Sequence, residues 1–292
     1  MPADAEDGLP ELVTRCRFGA WASTGGTPAA DSRALRARLG VRLPVVSWFS
    51  ALHDWDAATA GAIAALDPAD PPDCLVCLEP WDTRLADVAA GVHDDLLRRW
   101  CDGARRYPGR VLVRLMHEAN GNWYPWSVAH RGDAVTDPGQ WQEAWRRVVG
   151  IAREQGPPDL AFVFCANADD VGGVPAEAYW PGAGWVDVLG VDGYNWGWDA
   201  AGRPLATAEQ VIAPMYRRLT ALHPTAEVLV GETGCAAGPG KAAWHEALYR
   251  SRRFPRLTRV AFFSEAKERD WRLDSDDATL RVHRRHLPRA PR

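Results

Sequence analysis

The sequence predicts an α/β protein folded as a single (β/α)8 TIM barrel. Two observations carry that expectation: eight short apolar runs, and amphipathic stretches between most of them. The runs cover residues 16–21, 43–49, 74–78, 110–117, 161–166, 186–194, 227–231 and 260–264. They are nearly continuous in Val, Leu and Phe, as parallel strands covered on both faces must be. A length of 292 residues is enough for one such barrel with a large core.

Helical spacing is clearest over residues 31–39, 56–66, 92–107, 140–155, 207–222, 241–252 and 276–285. In the fourth of these, Trp141, Trp145, Val148, Val149 and Ala152 fall on one stripe while Arg146, Arg147 and Arg153 face away. Asp56 and Thr207 stand where N-caps belong. No Gly-x-Gly-x-x-Gly follows the first strand, which argues against dinucleotide binding. Residues 1–292 read as one domain, with 1–14 expected to be a flexible tail.

Lys plus Arg is 34 against 38 Asp plus Glu, a net charge of −4, so no nucleic-acid partner is expected. Lysine occurs only at Lys241 and Lys267; the rest of the positive charge is arginine. No apolar run reaches the roughly 18 residues of a membrane span, so no membrane partner is expected either. The first ten residues are acidic and lack the apolar core of a secretory signal. A cytoplasmic location is expected for the sequence as it stands, and secretion if an export signal was removed. A monomer is expected. Six cysteines do not make a disulfide scaffold. Cys74 and Cys77 sit three apart on a predicted strand and point to opposite faces, so they cannot share a metal; no metal site is expected. Fifteen tryptophans suit either stacking on sugar rings or packing.

In such barrels the site forms at the carboxyl ends of the strands. The fourth strand ends in His117, Glu118 and Asn120, and the seventh in Glu232. The third ends at Glu79 before Trp81; the sixth supplies Asp192 and Tyr194, followed by Trp196. Trp123, Tyr124 and Trp126 follow the fourth strand. Two carboxylates ringed by aromatics are what glycoside hydrolysis requires. Taken singly, each has an ordinary reading: a salt-bridge partner, a turn cap, a packed lid. Their convergence on one rim is the functional signal. A zinc-protease reading of His117-Glu118 fails because Gly121 occupies the position of the second histidine. No Gly-x-Ser-x-Gly occurs, so there is no nucleophile elbow.

The segment from Arg114 to Trp126, Arg-Leu-Met-His-Glu-Ala-Asn-Gly-Asn-Trp-Tyr-Pro-Trp, resembles the acid/base signature of glycoside hydrolase family 26. Leu78-Glu79-Pro80-Trp81, Gly190-Val-Asp192-Gly-Tyr194-Asn195-Trp196, Gly231-Glu232-Thr233-Gly234 with Lys241-Ala-Ala-Trp244, and Lys267-Glu-Arg-Asp270-Trp271-Arg272 match in the right order. The resemblance implies a retaining barrel enzyme with Glu118 as general acid/base and Glu232 as nucleophile, and no cofactor. It implies that Tyr194 bonds the nucleophile, that His117 holds the geometry, and that Trp123 and Trp126 line subsites. Asn120, Glu79, Trp81, Trp196, Phe262 and Phe263 are the other expected substrate contacts, with Arg114 and Asp192 in support. The implied substrate is a β-1,4-linked or mixed-linkage polysaccharide or oligosaccharide, a β-glucan or β-mannan. The Tyr124-Pro125 pair departs from the bulkier aromatic run of mannan-cleaving members and is more like the mixed-linkage glucan branch. Two alternatives remain at this level: a transglycosylase or tailoring enzyme acting on a small glycoside, and a saccharide-binding barrel without catalysis.

Overall fold

In a computed structural model that describes residues 9–132, 134–155 and 160–290, eight parallel strands close into a barrel in the order β1 to β8. The strands are β1 (Arg17–Ala22), β2 (Val45–Ala51), β3 (Asp73–Glu79), β4 (Val111–Leu115), β5 (Leu160–Asn167), β6 (Val188–Asn195), β7 (Glu227–Cys235) and β8 (Leu257–Ser264). The helices are α1 (Leu12–Arg15), α2 (Pro28–Leu39), α3 (Ala57–Ala64), α4 (Leu85–Ala89), α5 (Asp94–Ala104), α6 (Pro138–Glu154), α7 (Ala208–Leu222), α8 (Lys241–Arg250) and α9 (Asp277–His286).

Local chemistry explains several boundaries. The Asp56 side chain accepts from Thr59 N at 2.8 Å and caps α3. Thr207 and Gln210 form a reciprocal capping box on α7. Asp137 caps α6, whose buried stripe contains Trp141, Trp145, Val148, Val149 and Ala152, as the spacing required. Between β5 and β6 the described chain makes two 3-10 turns, Ala176–Tyr179 and Ala183–Trp185, instead of a helix. Of the tail expected over 1–14, residues 1–8 lie outside the described residues; Leu12 opens α1, is buried, and its N–H donates to Ser251 O at 2.9 Å. No described helix is long and apolar enough to cross a membrane.

The barrel is filled in layers. Val45, Leu75, Leu112, Val163, Val188, Leu229 and Ala261 form an apolar floor. Two residues further along β3, β4 and β5 the inward positions are Cys77, Arg114 and Cys165, and on β6 Asp192 lies four residues beyond Val188. A second, larger shell of apolar side chains joins the outer strand faces to the helices. Cys77 belongs inside, with its sulfur 3.1 Å from Arg114 Nη1, while Cys74 packs outside among the helix-facing residues.

Two irregularities position the site. β4 is shorter than its apolar run because Met116 and Glu118 take positive φ, 47° and 54°, which ends the ladder and turns the chain. Side chains rarely adopt that region, and such strain concentrates at functional sites. In β7 the pairing skips Gly231, so that Asp192 faces Glu232 after Val191 faces Val230. Leu229 points into the barrel and strict alternation would send Glu232 out. The bulge at Gly231 turns Glu232 inward.

Candidate active site

At the carboxyl end of the barrel lies a cavity of about 610 Å³. Seven strands contribute to its wall, with Trp21, Phe49, Glu79, Asn167, Tyr194, Glu232 and Phe263, and Glu118 joins them from the turn that follows β4. Loops add Trp81, Trp123, Tyr124 and Trp196, and the β8–α9 loop adds Glu265, Lys267, Glu268 and Trp271.

Glu118 and Glu232 share this cavity but not an environment. Glu118 receives a hydrogen bond from Trp123 Nε1 at 2.8 Å. Burial, reinforced by the negative charges of Asp192 and Glu232, holds its carboxyl well above the usual range and so favours its protonated form. Glu232 sits among donors. Arg114 Nη1 stands 2.9 Å from Oε1, and the Tyr194 hydroxyl donates to Oε2 at 2.6 Å. Burial and the neighbouring carboxylates push the Tyr194 phenol well up, so it stays a donor. Arg114 is fully buried and also bonds Asp192, whose other oxygen accepts from Cys165 Sγ at 3.2 Å.

His117 lies beneath this pair, fully buried, with neither ring nitrogen hydrogen-bonded. Its Nδ1 is 3.9 Å from Glu79 Oε1 and its Nε2 is 3.9 Å from Glu232 Oε1. Burial and the Arg114 charge depress its pKa well below the ordinary value, so the ring is neutral. Glu79 accepts from Trp81 Nε1 at 2.9 Å, and burial raises its pKa to about 7. Cys77 Sγ, a His117 nitrogen and a Glu232 oxygen lie within 4.8 Å of one another. The Arg114 guanidinium occupies the same space, bonded to both Cys77 and Glu232, and its charge disfavours a cation there.

The structure brings most expected site residues together and removes four from the wall. Trp81, Trp123 and Trp196 are 45%, 39% and 50% exposed, free to meet a sugar face. Trp126, expected as a platform, is fully buried. It stacks on Tyr124 at 4.4 Å and 12° and donates to His117 O at 2.8 Å, so Tyr124 presents the surface that Trp126 supports. Asn120 is buried off the cavity, tying Asn167 and Asp169 carbonyls and Asp170 together. Phe262 points out of the barrel toward His245, Tyr249 and His283; only Phe263 faces the cavity. His117 lies below the wall and not at the mouth. Trp21, Phe49, Tyr124, Asn167, Glu265, Lys267, Glu268 and Trp271 were not among the expected site residues. Applying the strand-end rule to the first, second and fifth runs would have found Trp21, Phe49 and Asn167.

A closed barrel with two buried glutamates in one aromatic cavity is the arrangement that two-carboxylate glycoside hydrolysis requires. The sequence profile of glycosyl hydrolase family 26 matches residues 102–238. Endoglucanase H of Acetivibrio thermocellus is 29% identical over 276 residues, covering 92% of this chain and 30% of the relative. A mannan endo-1,4-β-mannosidase of Caldalkalibacillus mannanilyticus is 28% identical over 106 residues, 35% of this chain and 20% of the relative. The chain thus spans a third or less of those relatives' length. Among solved structures, a family 26 β-mannanase from Bacteroides ovatus superposes with a TM-score of 0.61 at 17% identity, covering 94% of this chain and 90% of that one. The YdhT protein of Bacillus subtilis gives 0.65 at 15% identity, covering 98% and 90%. Both share the fold.

Proposed function

We propose that this protein is a retaining β-glycoside hydrolase that cleaves β-1,4-linked or mixed-linkage glycan chains by double displacement. The reading is supported by the contrast within one cavity: burial raises the Glu118 pKa and favours its protonated form, and Glu232 is held by Arg114 and Tyr194. In the first step a Glu232 oxygen attacks the anomeric carbon while Glu118 gives its proton to the departing glycosidic oxygen. A glycosyl ester on Glu232 forms and the aglycone leaves. In the second step Glu118, now a carboxylate, takes a proton from water. The hydroxide so formed displaces Glu232 from the same carbon, and both residues return to their starting states. Trp81, Trp123 and Trp196 supply stacking faces, and Glu79 a hydrogen-bonding group, along the sugar path.

A β-glucan is the favoured backbone over plain β-mannan. Endoglucanase H aligns across 92% of the chain, the mannosidase across 35%. Tyr124-Pro125 stands in place of the bulkier aromatic run, and its tyrosine faces the cavity. Discrimination by pocket shape is worth only about 1–3 kcal/mol, so a preference and not exclusion is expected. NMR of fresh product tests the mechanism, with β-configured reducing ends expected first; α-configured ends would refute double displacement. Comparing kcat/KM on a mixed-linkage glucan oligosaccharide and on mannohexaose tests the substrate. A tenfold advantage for mannohexaose would overturn the glucan preference.

A further inference from the structure

Only two of the 34 basic residues are lysines, and both bear on one loop. The β8–α9 connection supplies Glu265, Lys267, Glu268 and Trp271 to the cavity. Lys241, the first residue of α8, is 1% exposed beneath it. Its ammonium donates to Asp270 O at 3.0 Å and Arg272 O at 2.9 Å, the carbonyls on either side of Trp271. Trp271 is itself buried, packs on Tyr194 with ring centroids 4.9 Å apart, and meets Trp196 edge-on at 5.1 Å.

Neither helix stability nor solvation explains a lysine here. A cation at a helix N-terminus opposes the macrodipole, and burial penalises the charge. Burial lowers the Lys241 pKa to about 8, with Asp270 the largest opposing influence. Arginine, used at the other basic positions but Lys267, would bring a planar fork to a pocket that closes on a compact donor. What the ammonium does achieve is to give a second, charged donor to two carbonyls that otherwise accept only from Ala237 N at 3.0 Å and Ser275 N at 3.3 Å, tying the segments on either side of Trp271 to α8 and so holding Trp271 against Tyr194.

We propose that Lys241 is a positioning residue, a buried clamp that fixes the β8–α9 loop as one wall of the sugar-binding cavity. The proposal rests on the glycosidase reading for its kinetic consequence, but the clamp itself is read independently of activity. In Lys241→Met the two carbonyls lose the ammonium that ties them both to α8 and keep only the backbone donors Ala237 N and Ser275 N. Hydrogen exchange over residues 265–273 is expected to quicken at least tenfold, and KM for an oligosaccharide long enough to fill the cavity to rise at least fivefold, with kcat changing less than threefold. Ile63→Ala, a buried truncation in α3 away from the loop, is the control for general destabilisation. It should leave exchange over 265–273 at its wild-type rate. Should Lys241→Met fail to fold, Lys241→Gln, with an uncharged and shorter donor, carries the same comparison and should shift both readings in the same direction. Exchange and KM no different from those of Ile63→Ala would overturn the clamp. Faster exchange in a protein whose wild type hydrolyses no glycan would leave the clamp standing and refute the glycosidase reading instead.

Discussion

Arg114 Nη1 donates to Glu232 Oε1 at 2.9 Å from a position wholly inside the barrel. A guanidinium buried there must be paid for by partners, and Asp192, Cys77 and Glu232 surround it. The consequence for Glu232 is a fixed rotamer, which the nucleophile role proposed for it needs.

Removing the guanidinium should therefore damage stability and activity together. Arg114→Met leaves two buried carboxylates without their cation, at a cost of about 3–5 kcal/mol. The double variant Arg114→Met/Asp192→Asn removes one of the stranded charges and should recover part of that stability, but not hydrolysis. Urea unfolding of the two variants makes the comparison; equal stabilities would mean that the pair is not coupled.

Glu232→Ala is expected to abolish turnover on every substrate, since no other group can form the ester. Glu118→Ala should lose about 10²–10⁴-fold on glycans with poor leaving groups and far less on activated aryl glycosides. Added azide should restore activity to the Glu118 variant and yield the β-glycosyl azide. An α-azide from that variant would show that the two roles are exchanged.

Glu118 must be protonated to act as acid, so kcat should fall as pH rises through its raised pKa. Trp123 Nε1 bonds the carboxylate and favours its charged form. Trp123→Phe removes that donor, raises the pKa further and should move the alkaline limb to higher pH. A pH–rate profile of the two proteins tests the sign; a limb displaced to lower pH contradicts it.

A side chain at Gly231 has no room. A Cβ there would lie 2.6 Å from Asp192 Oδ1 and 2.7 Å from Arg114 Nε. Gly231→Ala should cost about 1–3 kcal/mol through overpacking and reduce kcat more than stability, because the bulge aims Glu232. Thermal melting with parallel rate measurements decides, and a variant of wild-type stability and rate removes the role given to the bulge.

His245 and His283 are buried together behind β8, facing Phe262, Trp244 and Lys241. Burial lowers both pKa values, that of His283 to about 3. A depressed folded-state pKa on a base means that its contribution is whole above the unfolded value near 6.5 and is lost as pH falls below it. His245→Phe should flatten the fall in stability between pH 6 and pH 4 by up to about 1.4 kcal/mol per pH unit. Denaturant titrations at the two pH values give the slope; an unchanged slope would falsify the assignment.

The sequence by itself determined the barrel, because eight apolar runs too short for helices and buried on both faces leave few other arrangements. It also determined which strand ends carry Glu79, Glu118, Tyr194 and Glu232, since each stands at the end of a run that is largely apolar. What it left open is direction. In a strand apolar on both faces no alternation distinguishes inside from outside, so Phe262 and Phe263 were equal candidates until the barrel closed and sent one to each side. A bulge leaves no mark in an apolar pattern, yet the one at Gly231 decides that Glu232 enters the cavity. The loop tryptophans show the same division. Composition supplies Trp123 and Trp126 alike, but only packing against Tyr124 and Trp81 buries the second and leaves the first beside Glu118.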